Sequence, residues 1–132
     1  MDTGLYIVTL NNIEPISVNA DRLKVAEKCI KVNHQNCKLG RAKTFAGRKR
    51  EYERTFGKAN VNFWPVIAVD DFQAAEKLIL PELNAYRIRG KSGRRNEWLQ
   101  GIDPIAVLRI VVSVMDSSQI THQVLVRPSM RK

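Results

Sequence analysis

The stretch that most constrains this chain is Asn36-Cys37-Lys38-Leu39-Gly40-Arg41-Ala42-Lys43-Thr44-Phe45-Ala46-Gly47-Arg48-Lys49-Arg50-Glu51-Tyr52. It reads as a short strand, a glycine turn and a basic helix. Thr44 stands where a helix N-cap belongs, and Gly57 supplies the C-terminal stop. Arg48 and Tyr52 are four apart and so project from one helix face. Lys38, Arg48 and Tyr52 would therefore converge near a strand end. A guanidinium there can grip a phosphate with two hydrogen bonds, and a phenol can position a water or a sugar oxygen.

Charge names the class of partner. The chain carries 22 Lys and Arg against 13 Asp and Glu, a formal net charge of +9, which points to a polyanion. Nucleic acid is the first candidate and an anionic membrane surface the second, but the apolar face of an interfacial helix is missing. Arg109 interrupts the best apolar run, so no membrane span is expected. Met1-Asp2-Thr3-Gly4 has no basic region ahead of an apolar segment, so no secretory signal is expected either. Cys29 and Cys37 are the two cysteines and make no disulfide framework. The simplest setting is intracellular: cytoplasm or nucleoid, or the nucleus in a eukaryote. At 132 residues the chain is read as one domain, 1–132.

Leu5 to Leu10 is rich in β-formers and reads as a strand. An insertion of about residues 13–34 follows, in which Leu23, Ala26 and Ile30 keep helical spacing. Cys29, His34 and Cys37, with His122 as a remote fourth ligand, match no strong zinc spacing; buried thiols and a surface histidine are the plainer reading. Asn60 to Val69 reads as a strand, with Pro65 marking an edge or a bulge. Asp70 and Gln73 resemble a capping box that opens a helix with Phe72, Ala75, Ile79 and Leu83 as its apolar stripe, kinked or broken at Pro81. Glu76 lies beside that stripe and needs a partner to offset its desolvation. Arg87-Ile88-Arg89-Gly90-Lys91-Ser92-Gly93-Arg94-Arg95 reads as a phosphate-contacting loop, and Trp98 as core. Asp103-Pro104 opens a stretch up to Met115 that is helix or strand by pattern. A C-terminal extension of about 99–132 ends in the strand-like Gln123-Val124-Leu125-Val126.

Gly4-Leu5-Tyr6 followed by Lys38-Leu39-Gly40 resembles the paired signature of the GIY-YIG nucleases. The likeness continues through Gly40-x-Ala42-Lys43, the Arg48-x-x-x-Tyr52 pattern and the helix Gln73-Ala74-Ala75-Glu76-Lys77-Leu78-Ile79, which is similar to the family's metal-site helix. Two features depart from the pattern: Lys38 replaces the second signature's tyrosine, and the gap from Tyr6 to Lys38 is much longer than the usual hairpin.

With the element pattern, the resemblance implies an α/β fold, a small three-stranded mixed sheet flanked by helices, with a helical insertion after the first strand. It implies metal-dependent hydrolysis of a DNA phosphodiester with Mg²⁺ or Mn²⁺. Tyr6 would activate or orient the attacking water, with the Lys38 charge favouring its phenolate. Arg48 would bind the scissile phosphate, Tyr52 would hydrogen-bond in the same site, and Glu76 would hold the metal. Arg41, Lys43, Arg87, Arg89, Lys91, Arg94, Arg95 and Asn96 would contact nucleic acid, and Glu97 is an alternative second metal ligand. A homodimer is left open. The competing reading is a non-catalytic nucleic-acid-binding module on the same scaffold.

Overall fold

The computed structural model describes residues 2–20, 22, 29–89 and 95–127; side chains at 95 and 96 are not described. Strand β1 (Gly4–Leu10) is buried along its whole length. Leu5 and Ile7 enter one core, whereas Tyr6, Val8 and Leu10 enter another. A strand buried on both faces belongs in the middle of a sheet. β1 pairs antiparallel with β4 (Cys37–Ala42) on one side and β5 (Val61–Ala68) on the other.

The expected three-stranded mixed sheet does not form. The described strands make a six-stranded antiparallel sheet in the order β6 (Arg87–Arg89), β7 (Arg95–Leu99), β4, β1, β5, β8 (Gln123–Val124), beside a two-stranded sheet of β2 (Ile16–Ser17) and β3 (Lys31–Val32). Two of the additional strands come from segments whose basic composition hid them, and the third from the stretch already read as strand-like. Arg87–Arg89 and Arg95–Leu99, the flanks of the supposed basic loop, are β6 and β7. β7 joins β4 opposite Cys37 and Lys38, where Trp98 and Leu99 each enter a core. Gln123–Val124 is β8, paired with Ile67 and Ala68 of β5. The expected helix of the insertion falls largely on residues 23–28, outside the described residues.

Helix α1 (Phe45–Phe56) and the insertion cover one face of the sheet. Helices α2 (Phe72–Leu83) and α3 (Pro104–Ser117) cover the other. Thr44 occupies the N-cap of α1 without a side-chain cap, while the Phe45 N–H donates to the Asp2 carbonyl. Gly57 ends α1 with a positive φ of 90° and its N–H on the Glu53 carbonyl. Helix α2 is capped by Asp71, one residue later than expected, and runs through Pro81, which falls in its last turn. The undecided stretch after Asp103 is helical, because the Asp103 carboxylate accepts from the Ala106 N–H and Val107, Val111 and Met115 make a buried stripe. That burial outweighs the weak helix propensity of its β-branched residues. Pro65 adjoins a bulge in β5 opposite the Leu5–Tyr6 step.

Tyr6 and Gly40 face one another across β1 and β4. The ring lies so close over the glycine that a Cβ at position 40 would run into the Tyr6 ring and hydroxyl. Strand propensity alone favours alanine over glycine, but overpacking here should dominate. Gly40→Ala should lower stability by about 1–3 kcal/mol in urea unfolding. An unchanged or raised midpoint would show that the ring is not held against the glycine.

Candidate active site

Gly40 lets the Tyr6 ring lie flat over β4, and from there the Tyr6 hydroxyl meets the Tyr52 hydroxyl of α1 at 2.6 Å. Tyr6 has no exposed surface and also stacks on Phe63, with ring centroids 4.6 Å apart. Burial lifts both phenols above the ordinary tyrosine range. For Tyr6 the neighbouring Tyr52 adds to the effect while Lys38 and Arg48 oppose it; for Tyr52 the bond to Tyr6 and the Arg48 charge oppose it. The Lys38 cation therefore acts in the expected direction on Tyr6, but desolvation is the larger effect and the phenol stays neutral.

Lys38 points to the same face of β4. Its Nζ lies 5.2 Å from the centre of the Tyr52 ring and 3.6 Å from the Glu97 carboxylate of β7. Arg48 stands one helical turn before Tyr52, half-buried, with Nε 3.9 Å from the Glu51 carboxylate. That exposed pair is weak and exchangeable. Two cavities share Arg48 and Glu51. The first, about 300 Å³, lies between α1 and the insertion and is lined by Lys38, Tyr52, Trp98, Asn19, Arg22 and Arg54. The second, about 400 Å³, wraps the end of β4 and is lined by Arg41, Lys43, Thr44, Phe72 and Gln73.

Glu76 comes from the opposite side of the sheet. Arg41 alternates away from Lys38 on β4, and its Nη1 donates to Glu76 Oε1 at 3.0 Å. Only 6% of Glu76 is exposed, and its Oε2 is buried with no hydrogen-bond partner among the described residues. Burial, then the Glu97 charge, raises the carboxyl above its usual range, with Arg41, Lys38 and Arg87 opposing. A buried carboxylate oxygen without a donor is expensive, and a proton, a water or a divalent cation would each satisfy it. No three of His, Cys, Asp and Glu converge among the described residues. Mg²⁺ needs only one or two protein carboxylates, since water and phosphate oxygens complete its shell, so the donor set fits.

The structure thus gathers Tyr6, Lys38, Arg48 and Tyr52 on one face and joins them, through Arg41 at the end of β4, to Glu76 on the other. Lys43 lines the second cavity. Arg87 and Arg89 lie instead on the outermost strand and line neither cavity; Arg87 Nη1 donates to Asn84 Oδ1 at 3.0 Å. Lys91, Arg94 and the side chains of Arg95 and Asn96 lie outside the described residues. The zinc grouping does not assemble: Cys29 Sγ accepts from Asn19, Cys37 is a core thiol pushed up to about 11 by burial, and His122 meets Asp116. Sequence reasoning missed Glu51, Arg54, Asn19 and Arg22. Helical spacing from Arg48 could have found Glu51; nothing local places Asn19 and Arg22, which arrive through tertiary packing.

The two phenols are directly testable. Their raised pKa values mean that the unfolded chain releases protons the folded chain retains. Stability should therefore hold below pH ~10 and fall as pH rises above it. In an ultraviolet titration, the Tyr6→Phe/Tyr52→Phe variant should show the same phenolate absorbance as the parent up to pH ~10.5. A clear loss of absorbance in that range would show that one of the two ionises normally.

The model of the T5orf172 domain matches residues 25–116, a span from the insertion to the end of α3 that includes Lys38, Arg48, Tyr52 and Glu76. None of the curated proteins or solved structures compared with the chain matches it. The chain belongs to the T5orf172 domain family, a domain found in phage-associated nuclease-like proteins.

Proposed function

We propose that the protein is a metal-dependent endonuclease of GIY-YIG type that hydrolyses DNA phosphodiester bonds at the end of β4. The observation that carries this reading is the buried Glu76 carboxylate: one oxygen accepts from Arg41, which lines the second of two cationic cavities that meet at Arg48, and the other has no donor among the described residues. The scissile phosphate would lodge on Arg48 once the exposed Glu51 contact gives way. A planar guanidinium can follow the phosphate oxygens as their charge grows, which favours the transition state over the ground state. Glu76 would hold Mg²⁺ or Mn²⁺ through Oε2, with Arg41 fixing the carboxylate from its other oxygen. When bound, the cation would offset charge developing on the leaving oxygen.

Tyr52 lines the first cavity and would present its hydroxyl to the attacking water or a phosphate oxygen. Tyr6, fully buried, would position that hydroxyl through the 2.6 Å bond. The pair uses one of its two hydroxyl protons internally, which leaves one for a further acceptor. As a neutral phenol Tyr52 would orient the water, with Tyr6 behind it holding the hydroxyl in place. Lys38, held over the Tyr52 ring, would add positive charge on the same side of the phosphate. The second reading, a DNA-binding module without catalysis, draws on one observation: the Tyr6 hydroxyl has no solvent contact.

Glu76→Gln separates the two readings. The amide keeps the size but loses the charge that Mg²⁺ requires. Nicking of supercoiled plasmid in Mg²⁺ should disappear while duplex binding stays close to the parent's. Undiminished nicking by the folded variant would remove Glu76 from the chemistry, and a parent that binds but never nicks would favour the module.

Arg48→Lys keeps the charge and loses the two-pronged contact. The single-turnover rate should fall by at least about tenfold, the scale of one charge-assisted transition-state contact. Equal rates for arginine and lysine would place Arg48 outside the reaction.

A further inference from the structure

We propose that the cavity between the insertion and α1 is a second phosphate subsite, which takes the backbone phosphate next to the one at Arg48 on the same nucleic-acid strand. The proposal rests on reading Arg48 as the scissile-phosphate ligand, because Arg48 is common to both cavities and a strand gripped there continues into the first.

The charge balance of the cavity favours an anion. Among the described residues, Arg22, Lys38, Arg48 and Arg54 line it against the single carboxylate of Glu51. Lys38 is engaged by Glu97 and Arg48 by Glu51, whereas Arg22 and Arg54 have no carboxylate partner among the described residues. Cations without counter-charge in a concave wall concentrate phosphate there. The remaining lining suits the rest of a nucleotide: Phe56 and Trp98, rings 5.6 Å apart, give a sugar or base an apolar floor.

The insertion wall is built into the fold. Ile16, Val18 and Ile30 pack against the core that holds Tyr6, Tyr52 and Trp98. The Val18 N–H donates to the Ile30 carbonyl at 3.1 Å, and Asn19 Nδ2 reaches Cys29 Sγ at 2.9 Å. The Arg22 N–H then donates to the Asn19 carbonyl at 2.8 Å, which ties the turn that carries Arg22 to the cavity rim. The long gap between Tyr6 and Lys38 thereby acquires a role: it supplies the wall opposite Arg54.

The test compares equilibrium binding of duplex DNA without terminal phosphates by the parent, by Arg22→Gln/Arg54→Gln, and by Arg109→Gln/Arg127→Gln, which removes the same charge on and beside α3. The subsite predicts at least about a tenfold rise in Kd and a salt slope shallower by about 2 for the first variant. The second should stay within about twofold of the parent. Parental Kd and slope in Arg22→Gln/Arg54→Gln would overturn the subsite, as would an equal loss in both variants; a pocket for terminal phosphates alone gives the first of these results. Cleavage in Mg²⁺ is scored separately. A parent that shows the binding difference but does not cut removes the nuclease reading and leaves the phosphate subsite, whereas a parent that cuts while the variant binds normally removes the subsite alone. A parent that binds no duplex overturns both.

Discussion

The structure depends on a tyrosine ring lying over a glycine. Tyr6 and Gly40 are partners in the central strand pair, and only hydrogen fits between that backbone and the ring. From this position the Tyr6 hydroxyl meets Tyr52, and the contact ties α1 to the sheet at the turn that carries Arg48. A buried hydrogen bond of this kind contributes about 1 kcal/mol net, but leaving either hydroxyl unpaired would cost about 1–3 kcal/mol. The penalty for mispairing, more than the bond itself, specifies how the helix docks. Phe45, Phe56, Phe63 and Trp98 then close around the pair and keep both phenols neutral.

The second organising fact is that the site has two sides. Alternation along β4 sends Lys38 toward α1 and Arg41 toward α2, so one strand serves both faces of the sheet. Arg48 and Arg41, whose guanidinium donates to the Glu76 carboxylate, meet around the strand end, where the starts of α1 and α2 come together at the second cavity. On the proposed reading, one phosphodiester would be approached from two directions, with cationic side chains on one side and the Glu76 carboxylate on the other. Glu97, 3.6 Å from Lys38 and close enough to raise the Glu76 carboxyl, links the two sides through charge.

Much of the local structure was legible in the sequence, because it is set by local chemistry. The apolar stripe of α2, the Gly57 stop and the burial of Trp98 follow from spacing and residue type. The size of the sheet was not legible. Strand β8 lies within the stretch read as strand-like, although its place beside β5 was not, whereas β6 is three residues of Arg-Ile-Arg with too little alternation to announce a strand. Their pairing is decided by open edges elsewhere in the sheet. The stretch from Pro104 to Ser117 was ambiguous for the opposite reason: β-branched residues obscure a helix that the Asp103 cap and a buried face stabilise. At the site, residue types and helical spacing pointed to Lys38, Arg48 and Tyr52. The mutual hydrogen bond of the tyrosines and the insertion's place beside Arg54 depend on tertiary contacts that no linear pattern encodes.

On the proposed reading, Glu76 and Arg48 serve one phosphate from opposite sides of β4. The most direct measurement is a crystal structure of the protein with a cleavage-resistant duplex and Mn²⁺, its metal located by anomalous scattering. A Mn²⁺ peak is expected within direct coordination distance of Glu76 Oε2, on the order of 2 Å by analogy with Mg²⁺–oxygen contacts, with a backbone phosphate hydrogen-bonded to the Arg48 guanidinium beside it. A metal peak away from Glu76, or a duplex whose backbone crosses α3 and leaves Arg48 in solvent, would contradict that reading.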